Sequence, residues 1–325
     1  MPAPSSTFMA HLNADLTSAD RLLCVEDGIA LGTFRASPRD AVFSGSERLS
    51  CCYLVFPRTA SEIHLERGPA AVHTPVNVVA YNAGDSYRRF AVSTRGDASD
   101  YIAVDESCMR QLLLREFGDL PCGRGGTFLF DRFSTVQTRS LFLRQRRLFD
   151  RLLARTLTDA DPRPAAAPDL REDILDVLLS ALATGLAGPL QPPTLPASRQ
   201  KSIAEEVKRH VGRRFCEKVD LDELATLAGV SAGHLARIFR REVGLSIHRF
   251  VVELRLRESL ELLPEMRNIA DVAAQLGFTH HSHFTSAFGK AFGTTPSDYL
   301  RRTPRRSERS GVEKRRLGAH SIMRR

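Results

Sequence analysis

The sequence predicts a multidomain protein: a β-rich sandwich or small barrel followed by a helix pair, then an all-α domain that carries a helix-turn-helix unit twice. Three observations carry this reading. Short apolar runs of β character, parted by turn residues, occupy about residues 20–135. From about residue 135 the apolar period lengthens to that of a helix. Beyond a Pro-rich stretch, a 48-residue repeat appears in a basic region.

The β runs come first in the chain. CCYLVFP (51–57), SEIHLE (61–66) and VNVVAYN (76–82) are followed by the turn AGD, then SYRRFAVS (86–93) and DYIAVD (100–105). Strands this short and this closely spaced suit a sandwich or small barrel. Cys51 and Cys52 are adjacent, so in a strand they point to opposite faces.

In RSLFLRQRRLFDRLLARTL (139–157), Leu141, Phe142, Leu148, Phe149, Leu152 and Leu153 share one helical stripe, with arginines on the other faces. A second helix, LREDILDVLLSALATGL, places Leu170, Ile174, Leu175, Leu178, Leu182 and Leu186 on one face after the breaker DADPRPAAAPD. Such a pair either closes its own domain or pairs two subunits. GPLQPPTLPAS (188–198) is uncharged and Pro-rich, which marks an interdomain linker. The expected layout is a flexible N-terminus (1–19), a β-rich domain with its helix pair (20–187), a linker (188–200), an all-α domain (201–302) and a basic, disordered tail (303–325).

Composition narrows the partners. The formal net charge is +8. Its distribution says more: −2 up to residue 198, +4 over 199–302 and +6 beyond, and every basic residue before Lys201 is arginine. An anionic partner for the C-terminal part is indicated. The first twenty residues lack the basic start and apolar run of a secretory signal, and the longest apolar stretch is too short to span a bilayer, so a cytoplasmic protein is expected. The cysteines at 24, 51, 52, 108, 122 and 216 form no CxxC pair and no zinc-finger series, which favours reduced, buried thiols over metal or redox roles.

The repeat lays LDELATLAGVSAGHLARIFRREVG (221–244) against IADVAAQLGFTHHSHFTSAFGKAFG (269–293). Each copy has an Ala-rich helix, a glycine (Gly229, Gly277), an apolar residue and a hydroxyl residue (Ser231, Thr279), then a second helix. The second copy is one residue longer at the turn. The glycine suits a left-handed helix end, and Ser231 or Thr279 is placed to cap the next helix. This is helix-turn-helix chemistry, in which the second helix enters a major groove. Between the copies SIHRFVVELRLRESLELLPEM predicts one long helix, with Phe250, Leu254 and Leu260 inward and Pro264 as its stop.

At LATLAGVSAGHLARIFRREVGLS, LRLRESLELL and IADVAAQLGFTHHSHFTSAFGKAFGTTPSDYLR the sequence resembles the AraC/XylS family of bacterial transcription regulators, over about residues 203–302. The resemblance implies a seven-helix DNA-binding domain with two helix-turn-helix units, an effector-binding or dimerising partner domain, promoter DNA as ligand, a homodimer, and RNA polymerase as partner if the protein is an activator. GPAAVHTPVNVVAYNAGDSYRRF looks like that family's cupin-like β-barrel. Cupin enzymes hold metal through a close His pair and a carboxylate. Here His73 stands apart from His64 and Glu66, which favours a non-metal barrel.

The resemblance places base contacts at Gly233, Ala236 and Arg237. On the first reading helix, Leu235, Ile238 and Phe239 should face inward, leaving Ser231, Gly233, His234, Ala236, Arg237, Arg240 and Arg241 for DNA. Arg237 suits guanine, and Arg240 and Arg241 suit phosphates. On the second, Phe284, Ala287, Phe288, Ala291 and Phe292 form the apolar stripe. Thr279, His280, His281, Ser282, His283, Thr285, Ser286 and Lys290 remain for DNA, with Ser286 and Gly289 standing where relatives often carry basic residues.

Of the three histidines at 280, 281 and 283 only His280 and His283 have a facing helical spacing, and no third or fourth ligand is near in sequence, so neither a metal nor a catalytic site is assigned, and no cofactor is expected. Two other classes stay in view: an enzyme, either a cupin-type catalyst or a DNA-repair methyl acceptor, and a partner-binding co-regulator whose second reader is degenerate.

Overall fold

The computed structural model of the protein describes residues 6–26, 28–66, 70–118, 134–158, 168–186 and 199–303. The Pro-rich linker stretch and the basic tail lie outside the described residues. In chain order the first half contains α1 (Ser6–Asp15), β1 (Asp20–Glu26), β2 (Ile29–Ala36), β3 (Glu47–Arg48), β4 (Cys52–Pro57), β5 (Ser61–Leu65), β6 (Ala71–His73), β7 (Asn77–Tyr81), β8 (Ser86–Ala91), β9 (Asp97–Val104), α2 (Glu106–Phe117), β10 (Ser134–Val136), α3 (Arg139–Thr158) and α4 (Pro168–Leu186). The second half is helical: α5 (Arg199–Arg214), α6 (Leu221–Leu227), α7 (Ala232–Val243), α8 (Ile247–Met266), α9 (Ile269–Gln275), α10 (His281–Phe292) and α11 (Pro296–Arg302).

The strands form two antiparallel sheets, ordered β1-β2-β9-β4-β7-β10 and β3-β8-β5-β6. The expected barrel is not closed. Among the described residues no strand of one sheet pairs with a strand of the other, and three of the four edge strands, β3, β6 and β10, are only two or three residues long. The larger sheet is buried on both faces, which explains why its strands read as continuous apolar runs. Cys52, Leu54, Phe56, Val78, Ala80, Ile102 and Val104 face a core completed by α2, α3 and α4. Their neighbours Cys51, Tyr53, Val79, Tyr81, Tyr101 and Ala103 face the second sheet and α1. Cys51 and Cys52 thus point to opposite faces as expected, and burial pushes each thiol up to about 12, so both stay protonated.

Two expectations need correction here. Residues 1–19 were expected to be a flexible N-terminus, yet Phe8 and Leu12 of α1 are buried in the inter-sheet core, anchoring the helix there. The Asp15 carboxylate fixes its end by accepting from Ser50 N, Cys51 N and Tyr53 Oη at 2.7, 3.1 and 2.9 Å. Pro264 does not stop α8, which runs on to Met266 and is closed by Arg267 at φ 58°. Proline removes one amide from the ladder, and Tyr299 Oη donates to the Leu260 carbonyl at 3.2 Å, the acceptor that position would have used.

The helix pair α3–α4 closes its own domain, with apolar residues of both helices in the core behind the larger sheet. The N-terminal β-rich domain then packs along α8. Val76 joins the core of the first reading unit and Phe142 that of the second. The acidic residues of α8 meet arginines of the N-terminal domain: Glu253 takes Arg139 (2.8 Å), Glu258 takes Arg95, and Glu261 takes Arg58 (3.0 Å) and Arg146. Arg257 donates to the Pro75 carbonyl and lies 4.3 Å over the Phe142 ring. Among the described residues, no helix is long and apolar enough to cross a membrane.

Candidate nucleic-acid interface

The duplicated units fold alike because their turns are built from the same bonds. After α6, Gly229 sits at φ 63°, Gly229 N donates to Thr226 O (3.1 Å) and Val230 N to Ala225 O (3.1 Å). After α9, Gly277 sits at φ 74°, Gly277 N donates to Ala274 O (2.9 Å) and Phe278 N to Ala273 O (3.0 Å). Both are Schellman ends, which need the left-handed residue that glycine supplies without strain. The apolar residue after each glycine turns into its own core, with Phe278 buried and Val230 half-buried.

The capping residues then diverge. Ser231 is the N-cap of α7, its hydroxyl accepting from His234 N at 3.4 Å. The N-cap of α10 is His280 and not Thr279, and His280 makes no side-chain cap bond. The extra residue in the second turn moves the hydroxyl one place too early, so the first amides of α10 are left without a side-chain acceptor.

The linker helix α8 sets the two units against one another. Phe250, Val251 and Leu254 belong to the first core, and Leu256, Leu260, Leu262 and Leu263 to the second. Arg255 sits at the change-over and ties the second turn and the loop before α6 to the helix. Its bonds go to Phe215 O (2.7 Å) and Glu217 O (2.7 Å) in the α5–α6 loop and to Gly277 O (2.8 Å) in the second turn. The sequence reading assigned nothing to Arg255. Its signal is weak in sequence because a carbonyl cage shows no acidic partner to look for.

On α7, Leu235, Ile238 and Phe239 are buried, while Ser231, Gly233, His234, Ala236, Arg237, Arg240 and Arg241 are all exposed. Arg241 pairs with Glu242 at 2.8 Å, whereas Arg237 and Arg240 have no partner among the described residues. On α10, Phe284, Phe288 and Ala291 are buried and Ala287 and Phe292 half-buried. Thr279, His280, His281, Ser282, His283, Ser286 and Lys290 are exposed, and Thr285 is half-buried beside His281 Nε2 at 3.5 Å. His283 packs edge-on against Phe278, with ring centroids 5.7 Å apart, so it rests against its own unit. Among the described residues, no group of three or more His, Cys, Asp or Glu is arranged to hold a metal ion. Each unit therefore offers a helix with one apolar and one open polar face, its start free to meet a groove.

Comparison with known proteins agrees with this geometry. A family model described as a helix-turn-helix domain matches residues 224–302. The probable transcription factor PqrA of Proteus vulgaris is 36% identical over 84 residues, which cover 26% of this chain and 69% of PqrA. The chain belongs to the AraC/XylS family. The Msm operon regulatory protein of Streptococcus mutans is 27% identical over 103 residues, 31% of this chain, and the match spans only 37% of that relative's length. Among solved structures, the C-terminal domain of AraT, a response regulator from Geobacillus stearothermophilus, is 25% identical with a TM-score of 0.31, covering 33% of this chain and 90% of that one. The family-model match runs from within α6 to the end of α11.

Proposed function

We propose that this chain is a sequence-specific transcription regulator that reads two successive major grooves of promoter DNA, one with α7 and the next with α10. The observation that carries the reading is the repeat of one structural device on a shared helix. Two units with the same glycine turn hang from α8, each with its reading face open. Recognition helices of one protein that read the same face of the duplex lie about 34 Å apart. Arg237 is the base-reading candidate, with Arg240, Arg241 and Lys290 on phosphates. The uncapped start of α10 suits a phosphate oxygen, because free amides and the helix dipole both attract an anion.

In this reading the N-terminal domain, cupin-like in sequence, senses a small-molecule effector or holds a homodimer together, acting in the cytoplasm and on RNA polymerase where it activates. Nuclease footprinting on its bound promoter tests the reading. Protection of two grooves on one face per chain is expected, with affinity falling steeply as salt rises. Protection of one groove would instead favour a co-regulator whose second reader is degenerate. Ser286 and Gly289, which leave Lys290 as the only Lys or Arg on α10, are the features that would explain that outcome.

A further inference from the structure

Between the two sheets lies a cavity with about 50 Å³ of water-accessible space, enough for a few waters or a ligand of a few heavy atoms. Four of the chain's five tyrosines line it: Tyr53, Tyr81, Tyr87 and Tyr101. Three aspartates line it, Asp15, Asp20 and Asp97, against one arginine, Arg89. That arginine is already engaged, donating to Asp97 at 2.9 Å and to Tyr87 Oη at 2.7 Å, with its face 3.9 Å over Phe34. His73 adds no charge, since burial holds it down to about 3.

The wall therefore holds two more carboxyl groups than guanidinium groups, with aromatic faces around it, and burial raises Asp20 toward its neutral form, which a bound cation would reverse. A polyol finds few open hydroxyl partners. Tyr53 Oη donates to Asp15 at 2.9 Å, Tyr81 Oη bonds His73 Nδ1 at 3.1 Å, and Tyr87 Oη accepts from Arg89. The buried Tyr101 hydroxyl lies beside the Asp20 carboxylate, which also accepts from Thr17 N at 2.9 Å and Thr17 Oγ1 at 2.8 Å. Its ring position depends on Gly32, the residue paired with it across β2 and β9, where a Cβ would fall 2.4 Å from the ring. An anion would face Asp15 and Asp20, which are held by hydrogen bonds, whereas a cation would gain both a counter-charge and ring faces.

We propose that this cavity binds a compact organic cation, an ammonium-bearing molecule of a few heavy atoms, with Asp20 as its counter-charge. The proposal rests on the effector-sensing reading above. Strand alternation supplies a route to the DNA-binding half. Ser61, Ile63 and His73 line the cavity. Their neighbours reach α5: Glu62 takes Arg209 through two bonds of 2.7 Å, and Val72 N donates to Glu205 Oε2 at 2.7 Å.

The test is calorimetry and thermal denaturation of the purified full chain with three size-matched probes: propylammonium, propionate and 1,2-propanediol. Saturable binding of propylammonium alone is expected, weakened at least about tenfold in Asp20→Asn, as losing a buried charge partner demands. Binding of propionate or propanediol in its place would overturn the cation and leave effector sensing standing. No binding of any probe would overturn the cation site and leave the effector-sensing reading standing for ligands of another shape. Propylammonium bound equally well by Asp20→Asn would place it elsewhere and overturn the site. The probe series on the unaltered chain decides the ligand class whether or not the variant folds.

Discussion

Arg58 Nη1 donates to Glu261 Oε1 at 3.0 Å, and through that bond the N-terminal domain holds the helix that joins the two reading units. Arg58 also pairs with Asp100 at 2.7 Å, and Gln145 donates to the same carboxylate at 2.6 Å. The two arginines beside Glu261 hold its carboxyl well below the usual range despite burial. Removing one member of such a network leaves buried charges without partners. Glu261→Ala should cost about 3–5 kcal/mol, read by urea denaturation of the full chain. A loss below about 1 kcal/mol, the usual figure for exposed pairs, would mean that the domains separate in solution.

The three helix and turn glycines should respond differently to alanine. At Gly277 a Cβ would lie 2.1 Å from the Cys216 carbonyl oxygen, on a backbone already at φ 74°, so Gly277→Ala combines a clash with strain and should cost more than about 2 kcal/mol. Gly229 has open space around it, so Gly229→Ala meets only the left-handed strain of about 1–2 kcal/mol. Gly289 lies inside α10 and also has open space, so Gly289→Ala should stabilise by up to about 1 kcal/mol. Melting temperatures in the order Gly289→Ala, unaltered chain, Gly229→Ala, Gly277→Ala check the set, and any other order contradicts it.

His73 gives the fold an acid limit. Its folded value of about 3 lies below its ordinary 6.5, so as pH falls below 6.5 the unfolded chain takes up a proton that the folded chain refuses. Stability from this group is complete above pH 6.5 and declines as pH falls toward 3, by at most about 1.4 kcal/mol per unit. Denaturation midpoints between pH 6.5 and 4.5 should fall less steeply in His73→Gln than in the unaltered chain. Parallel slopes would show that His73 gains water access and titrates normally.

Legibility in the sequence followed the range of the interactions. The reading units were readable because each depends on neighbours a few residues apart: a glycine at a helix end, an apolar residue after it, a stripe at helical spacing. Ser231 fell where its capping role was expected. Thr279 did not, because one extra residue in a turn shifts a cap without disturbing the stripe. α1 was missed because STFMAHLNAD carries only Phe8 and Leu12 into the core, too few to show a period. The interface was missed because Glu253, Glu258 and Glu261 look like a solvated helix face until Arg139, Arg95 and Arg58 are brought to them from more than 100 residues away.

DNA readout should separate Arg237 from Lys290. Arg237 is exposed midway along α7 and free of partners among the described residues, so Arg237→Ala should cost about 1–3 kcal/mol and relax preference at one base position. Lys290 sits near the end of α10, where Lys290→Ala should weaken all sequences alike and lower the salt slope by about 1. Binding curves at several salt concentrations on the promoter and on scrambled DNA measure both. An Arg237→Ala protein with unchanged affinity and preference would remove α7 from the interface.

The missing cap of α10 predicts a conflict between stability and binding. Aspartate is among the better N-cap residues, and its carboxylate also suits the positive end of the helix, so His280→Asp should stabilise the chain by about 1 kcal/mol. The same carboxylate would occupy the amides that a DNA phosphate is proposed to use and would repel that phosphate. A more stable protein with weaker DNA binding is therefore expected, the loss being greatest at low salt, where repulsion is least screened. Thermal denaturation and binding assays on one preparation check both halves. If His280→Asp stabilised the chain and left DNA affinity unchanged, the start of α10 would not lie against the backbone, and this unit would contact DNA through Ser286 and Lys290 further along the helix.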